Sequence, residues 1–340
     1  MVGAKFGFLY TRRVDHAVEG EPRIATVRKR TSFASQLAGM VAVIVPPIGV
    51  LSAMGVLWGV AFGPLDVAVF VVLYVLCGLG TTAGWHRYFA HKGFETSAPV
   101  KALLAILGSM AMQGPLTQWV TDHRKHHALS DKPGDPHSPH AGREPGVWSA
   151  ALGLFHAHVG WLFVTKGMER GPEYARDLYA DRLVRWIDRL YLLWVAVTLG
   201  IPFAVGYVFG GLDAGLEAMV WGGFVRIFAF QHVTFSINSV CHMFGKQAYM
   251  ARDESRNVWA LAPFSFGESW HNNHHAFPAS ARHGLERRQL DVAYLTIRGL
   301  ERLGLVWDVK RPNEEQRARR RLAPLAGAGS RPAEPGSADA

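Results

Sequence analysis

The chain has little cysteine and little charge. Cys77 and Cys241 are the two cysteines in 340 residues, both inside apolar stretches, which excludes a disulfide scaffold, a cysteine zinc ribbon and an iron–sulfur cluster. Charged residues make up 19% against 49% hydrophobic, with a mean hydropathy of +0.07. Such a balance argues against an ordinary water-soluble globule. No strand-rich region occurs, and residues 1–30 lack the apolar core of a signal peptide. The net charge of +9 sits outside the apolar stretches and in a polar tail, so it gives no footing for a nucleic-acid role.

What is there is a set of four apolar segments. They cover about residues 36–62, 65–84, 190–209 and 216–241, each close to the roughly 20 residues that a spanning helix needs. Pro46 and Pro47 interrupt the first. A shorter run, Val100 to Met112, is too brief to cross and reads as an interfacial or buried helix. The links within each pair are short, Gly63–Pro64 and residues 210–215, so the segments form two helical hairpins. Lys and Arg number seven in residues 1–34, thirteen in 85–189 and fifteen after 242, and Arg226 alone lies inside a segment. The positive-inside rule then places both termini and the middle region in the cytoplasm. The expected fold is all-α: four transmembrane helices in two hairpins, with a helical cytoplasmic cap. Residues 1–34 form a cytoplasmic N-terminal segment and 35–311 the membrane domain. Residues 312–340 have too few apolar side chains to pack and are expected to be a disordered tail.

Histidine is the residue in excess. Of sixteen, eight fall in three clusters: His86 and His91; His123, His126 and His127; His271, His274 and His275. Positions i, i+3 and i+4 share a helix face, so each triplet can converge on one point. His86 and His91 are five apart, about 140° around an ideal helix, and converge best where the helix unwinds or bends. Neutral imidazole is a common ligand of iron, zinc, copper and nickel, and eight exceed what one tetrahedral ion requires. Two metals in one pocket fit the number, in a site made almost wholly of nitrogen. Asn238 and His242, four apart at the end of the fourth segment, point toward the same boundary and add a ninth imidazole. His16, His140 and His283 read as ordinary surface or core residues. His137 orients a ligand or closes a turn, and His156, His158 and His232 lie near enough to stand behind ligands.

These residues resemble the histidine boxes of the membrane fatty acyl desaturase family: HxxxxH, HxxHH and a distant second HxxHH. The likeness is nearest to the delta-9 acyl-CoA (stearoyl-CoA type) branch and its bacterial relatives. It extends to Thr82-Ala-Gly-Trp-His-Arg, Asp122-His-Arg-Lys-His-His, Asp135-Pro-His, His158-Val-Gly-Trp-Leu, Asn238-Ser-Val-Cys-His and Gly267-Glu-Ser-Trp-His-Asn-Asn-His-His, over about residues 35–310. The resemblance implies two iron ions held by His86, His91, His123, His126, His127, His242, His271, His274 and His275, with Asn238 acting through a water. It implies O2 as co-substrate, a long-chain acyl-CoA (or a phospholipid- or carrier-bound acyl chain), and a cis double bond as product. Tyr74 and Gly78 fall where a stopper for the acyl chain would lie. Thr234 is a further substrate contact, and Arg124 and Lys166 are candidates for a phosphate-bearing headgroup. No electron carrier is fused to the chain, so electrons would come from a separate ferredoxin, cytochrome b5 or NAD(P)H-dependent reductase. A membrane hydroxylase shares the three boxes and is the alternative. A metal transporter is more distant, because these histidines lie at the helix ends and not at midplane. Arginine outnumbers lysine, which suits a GC-rich bacterial source and a bacterial cell membrane.

Overall fold

Gly63 and Pro64 start the first long helix, α1 (Pro64–Ala90). Proline suits the first helical position, and Asp66 in the first turn accepts the Gly63 N–H at 2.8 Å. The computed structural model describes residues 44, 47–51, 63–164 and 171–322, and the account that follows concerns these. The elements are helical apart from one antiparallel pair, β1 (Glu95–Thr96) with β2 (Val306–Trp307).

From Gly80 to Ala90, α1 widens into a π-helix. Helix α2 (Ala98–Ser109) turns back along this stretch at close range. A Cβ at Gly80 would strike the backbone of Leu107 and Gly108, one at Gly84 would meet Leu104, and one at Gly108 the Trp85 indole. The Trp85 indole N–H donates to the Ala105 carbonyl at 3.1 Å, so the packed pair leaves no orphan donor there. After an irregular elbow at Met110–Pro115, Asp188 accepts the Leu116 N–H at 2.8 Å and the Thr117 N–H at 3.2 Å, and α3 (Leu116–Leu129) begins. Asp188 belongs to α5 (Arg182–Arg189), which follows α4 (Val147–Val164) in the chain.

Tyr191–Met243 is one 53-residue apolar run that folds back at Gly211, whose φ of 77° suits glycine. Its legs pack closely: Gly206 faces Ala214 and Ala218, Gly215 faces Phe203 and Gly222 faces Pro202. It comprises α6 (Tyr191–Ala218), a π-helical turn at Met219–Val225 and α7 (Arg226–Met243). This is the second expected hairpin. Among the described residues three helical runs are long and apolar enough to cross a membrane, Pro64–Ala90, Val147–Val164 and Tyr191–Met243. Of the first expected span only 44 and 47–51 are described, and they are helical. The count of four spans is therefore not established. The run Val147–Val164 was not among the expected spans, because His156 and His158 break up its hydropathy. Val100–Met112 is matched by α2, too short to cross.

The remainder caps one end of these helices with α8 (His271–Ala276), α9 (Val292–Arg302) and α10 (Glu314–Arg320). The last corrects an expectation. The stretch after Pro312 was to be disordered for want of apolar residues, yet α10 forms and docks through polar groups. Asn313 and Gln316 cap it reciprocally, Arg317 reaches Glu286 at 3.1 Å, and Arg320 donates to the Ala276 carbonyl. Residues 1–34 and 323–340 lie outside the described part.

Arg87 ties the cap to α1. It is 0% exposed and bonds Glu268 Oε1 at 3.0 Å, Asp291 Oδ1 at 2.8 Å and the Ala281 carbonyl at 2.8 Å. Removing one member of such a buried network strands the others. Arg87→Ala is expected to lower the unfolding free energy by about 3–5 kcal/mol, read by denaturation of the metal-free protein in detergent.

Candidate metal centre

Four elements deliver nine imidazoles to one buried place. The π-helical end of α1 brings His86 and His91, α3 brings His123, His126 and His127, α7 ends in His242, and α8 carries His271, His274 and His275. The π geometry explains the first pair. The His91 N–H bonds the His86 carbonyl five residues back at 3.1 Å, so the two rings lie 4.9 Å apart on the same side.

The nitrogens fall into two groups, within each of which all lie within 4.8 Å of one another. His86, His91, His123, His127 and His274 make the first, and His126, His242, His271 and His275 the second. Each triplet is thus divided. On α3 the i, i+4 pair joins the first group and His126 the second; on α8 the pair His271 and His275 joins the second and His274 the first.

Carboxylates fix the protons. Nδ1 of His86 meets Glu268, that of His126 meets Asp135 at 2.9 Å, that of His242 meets Asp131 at 2.9 Å and that of His275 meets Asp253 at 2.6 Å. Burial alone would raise the carboxyls of Asp131, Asp135 and Asp253, but the imidazole beside each more than offsets this and holds them below the ordinary carboxylate range. For Glu268, burial is outweighed by His86 and Arg87, again downward. Ionised carboxylates accept the Nδ1–H, leaving Nε2 with a bare lone pair. The Nε2 of His86 then faces that of His274 at 3.1 Å and the Nε2 of His242 that of His271 at 3.1 Å, the second ring of each pair having no carboxylate behind it. Nε2 of His126 and of His275 is buried without a hydrogen-bond partner. Facing lone pairs repel unless a cation lies between them. Nitrogens bound to one ion at about 2.0–2.1 Å and at right angles to each other stand about 3.0 Å apart. The residues fit two metal ions, and their chemistry is that of all-imidazole ligation with a carboxylate behind four of the rings.

A sequence profile of the fatty acid desaturase family matches residues 62–293. The chain belongs to this family. Over 284 residues it is 43% identical to a hex-5-enoyl-[acyl-carrier protein] acetylenase of Moorena producens (strain JHB), covering 82% of this chain and 88% of that one. It is 40% identical over 251 residues to delta-9 acyl-lipid desaturase 1 of Arabidopsis thaliana, 74% and 77% of the two chains. With an sn-1 stearoyl-lipid 9-desaturase of Synechocystis sp. it shares 37% over 246 residues, 72% and 71%.

Two cavities adjoin the candidate metal centre and share Trp119, His123, Thr234 and Asn238 in their walls. The first continues past Val233, Ile237 and Phe230, an apolar lining. Asn238 therefore reaches both cavities, and Thr234 accepts a hydrogen bond from Gln113 at 2.8 Å while Gln113 accepts one from Trp119 at 3.0 Å. Trp119 stacks on His123 at 5.1 Å.

Other expected contacts fall elsewhere. Arg124 is not a free headgroup ligand: its donors go to the Ala90, Phe89 and Tyr174 carbonyls and to both oxygens of Asp177 at 2.7–3.1 Å. It fastens the end of α1 and α3 to the short helical stretches Gly171–Tyr174 and Arg176–Ala180. Gly78 does not wall either cavity; a Cβ there would run into the Phe266 ring. Tyr74 donates to the Phe264 carbonyl at 2.9 Å and stands edge-on to Phe230, behind the cavity wall. Lys166 lies outside the described residues. His158 and His232 pair with each other at 3.0 Å, away from the two groups. His137 packs on His126 at 4.3 Å, and His140 bonds the His242 carbonyl at 2.8 Å.

Glu268, Asp131 and Asp253 were not singled out from the sequence, and His283 was read as ordinary. His283 is buried between Glu268, at 3.5 Å, and the His274 ring, at 4.5 Å. Glu268 does stand three residues before His271 in a motif that the family resemblance had already drawn attention to, whereas Asp253 carries no local signal.

Two outcomes follow. Asp253→Asn should weaken metal binding about 10–100-fold in chelator competition, because His275 then meets a neutral amide, which can donate as well as accept, in place of the ionised acceptor that sets its tautomer. The metal-free protein should also lose stability in mild acid. Burial holds His275 and His283 down at about 4 against an ordinary 6.5, so the unfolded chain binds more protons in that window. Stability therefore rises with pH from about 4 to about 6.5, and a melting temperature that is flat across that range would contradict the burial of neutral rings.

Proposed function

We propose that this protein introduces a cis double bond at the delta-9 position of a saturated long-chain acyl group, using two iron ions, O2 and two electrons from a separate donor. The carrying observation is the placement of nine imidazoles, four of them oriented by carboxylates, at one end of an apolar cavity. Bound iron would supply, with O2, the oxidising power to remove hydrogen from an unactivated methylene, a task for which an acid or base side chain has no purchase. The nine histidines would hold the two ions, and Asn238, facing the same cavity, would hold a water beside them. Phe230, Val233 and Ile237 exclude bulk water and hold the acyl chain by apolar contact. Four electrons reduce O2 to two waters: two come with the two hydrogens taken from the chain and two from the donor.

The delta-9 position is supported by the names of the Arabidopsis and Synechocystis relatives. The carrier that we favour is a membrane lipid. Those same names support it, as does the engagement of Arg124 with protein groups, which takes away one expected contact for the phosphates of acyl-CoA. The distribution of Lys and Arg supports a cytoplasmic side for the centre and both termini, and the excess of Arg over Lys supports a bacterial cell membrane.

Cells expressing the chain with a compatible reductase, fed a labelled saturated acid, should accumulate a 9-cis monoene that is absent with His271→Ala. Label should enter the unsaturated pool first in glycerolipid. First appearance in CoA thioesters would overturn the carrier, and a hydroxy acid in place of the alkene would overturn desaturation.

A further inference from the structure

Arg226 is the one Lys or Arg within the apolar segments, and it is 0% exposed. A charge buried at membrane depth calls for a compensating group. Among the described residues no carboxylate lies within ion-pair reach of it. Instead the guanidinium donates to the Met110 carbonyl at 3.3 Å, to Thr198 Oγ1 at 2.6 Å and to the Gly222 carbonyl at 3.1 Å, and Thr198 in turn donates to the Met110 carbonyl at 2.8 Å. Met110 is the C-cap of α2. The negative end of that helix's dipole therefore stands where a carboxylate would be expected.

Met110 also opens the elbow before α3. Met112 sits at φ 56°, a conformation that side chains other than glycine rarely take, so something must hold it there. One turn and a half along α7 from Arg226, the Gln231 side chain donates to the Met112 carbonyl at 2.7 Å. A further turn on, Thr234 takes the Gln113 amide at 2.8 Å. Three side chains of α7 thus grip the elbow at Met110, Met112 and Gln113. The elbow in turn carries Gln113, which holds Trp119, which stacks on His123. Trp119 and Thr234 belong to the shared wall of the two cavities.

We propose that Arg226 and Gln231 are positioning residues that set which carbon of the acyl chain meets the metal centre, by fixing the elbow Met110–Gln113. The inference rests on the reading that an acyl chain occupies these cavities. Loosening the elbow lets Trp119 and Thr234 shift along the chain, so the register of the reaction spreads while His86, His126, His242 and His275, anchored by their carboxylates, keep the centre in place.

The test compares Arg226→Met, Arg226→Lys and Gln231→Met with the parent, each loaded with iron and assayed with the reductase, by mapping the position of the modified carbon in the product. Metal content and melting temperature are measured alongside. Both Met variants should retain iron and give a mixture of positional isomers. The ratio of the main isomer to its neighbours should fall about tenfold, equivalent to about 1.4 kcal/mol. Arg226→Lys, which keeps a donor for the end of α2, should restore most of the parent's selectivity. If Arg226→Met does not fold, Gln231→Met carries the test alone. Iron-replete variants that modify the same carbon as the parent, however slowly, would overturn the proposal. Hydroxylated product at a single carbon in the parent, spreading in the variants, would overturn the desaturase reading and leave this one standing.

Discussion

Everything in this molecule is arranged around unshared electron pairs that cannot be left facing one another. Nine imidazoles converge in one place, six of them buried and three partly buried, and four have their protons drawn to the outside by ionised carboxylates. The inner nitrogens of these four are then basic. A polypeptide would not fold willingly into such a core, since like dipoles pointed at one another cost free energy. A pair of cations would make it stable. Metal binding would then be coupled to the folding of the cap, with the rest of the chain holding the ring edges at ligand separation.

The scaffolding meets that demand by closing each polar group with another, often far away in sequence. Arg87 joins α1 to two acids near 270–291, and the same Glu268 that receives it also receives His86. Asp131 serves three partners: Ser138 at 2.6 Å, the Glu254 N–H at 2.9 Å and His242 at 2.9 Å. These are buried charges that are paired and hydrogen-bonded, the condition under which burial is tolerated. Below them the helices need little more than small residues to approach closely, which Gly80, Gly84 and Gly108 provide.

Much of this was legible in the chain. The apolar segments and their short links marked the hairpin that turns at Gly211, and the spacing of the histidines marked the residues that meet. Their division was not visible. A shared helix face says that His123, His126 and His127 look the same way, but not that two centres lie side by side in front of that face. The acids behind the rings were hidden for another reason: 182 residues separate His86 from Glu268, and no local pattern links them. The neighbours of Arg124 and Gly78 were hidden on the same ground. A cation and a gap were correctly seen, whereas the carbonyls that take the first and the Phe266 ring that fills the second come from elsewhere in the fold. Composition also undervalued α10, because arginine pairing does not register as hydropathy.

The π-helical end of α1 has a consequence for how this sequence can change. In an α-helix the spacings that align two side chains are three and four, and the backbone tolerates any register shift that preserves them. Here the alignment of His86 with His91 depends on a hydrogen bond that spans five residues. Inserting a single residue between them would put the pair six apart, about 120° from alignment on a regular helix, whereas deleting one would let the regular helix re-form with the two histidines four apart and still on one face. The stretch thus tolerates shortening by one residue better than lengthening by one, in a way that no substitution table would reveal.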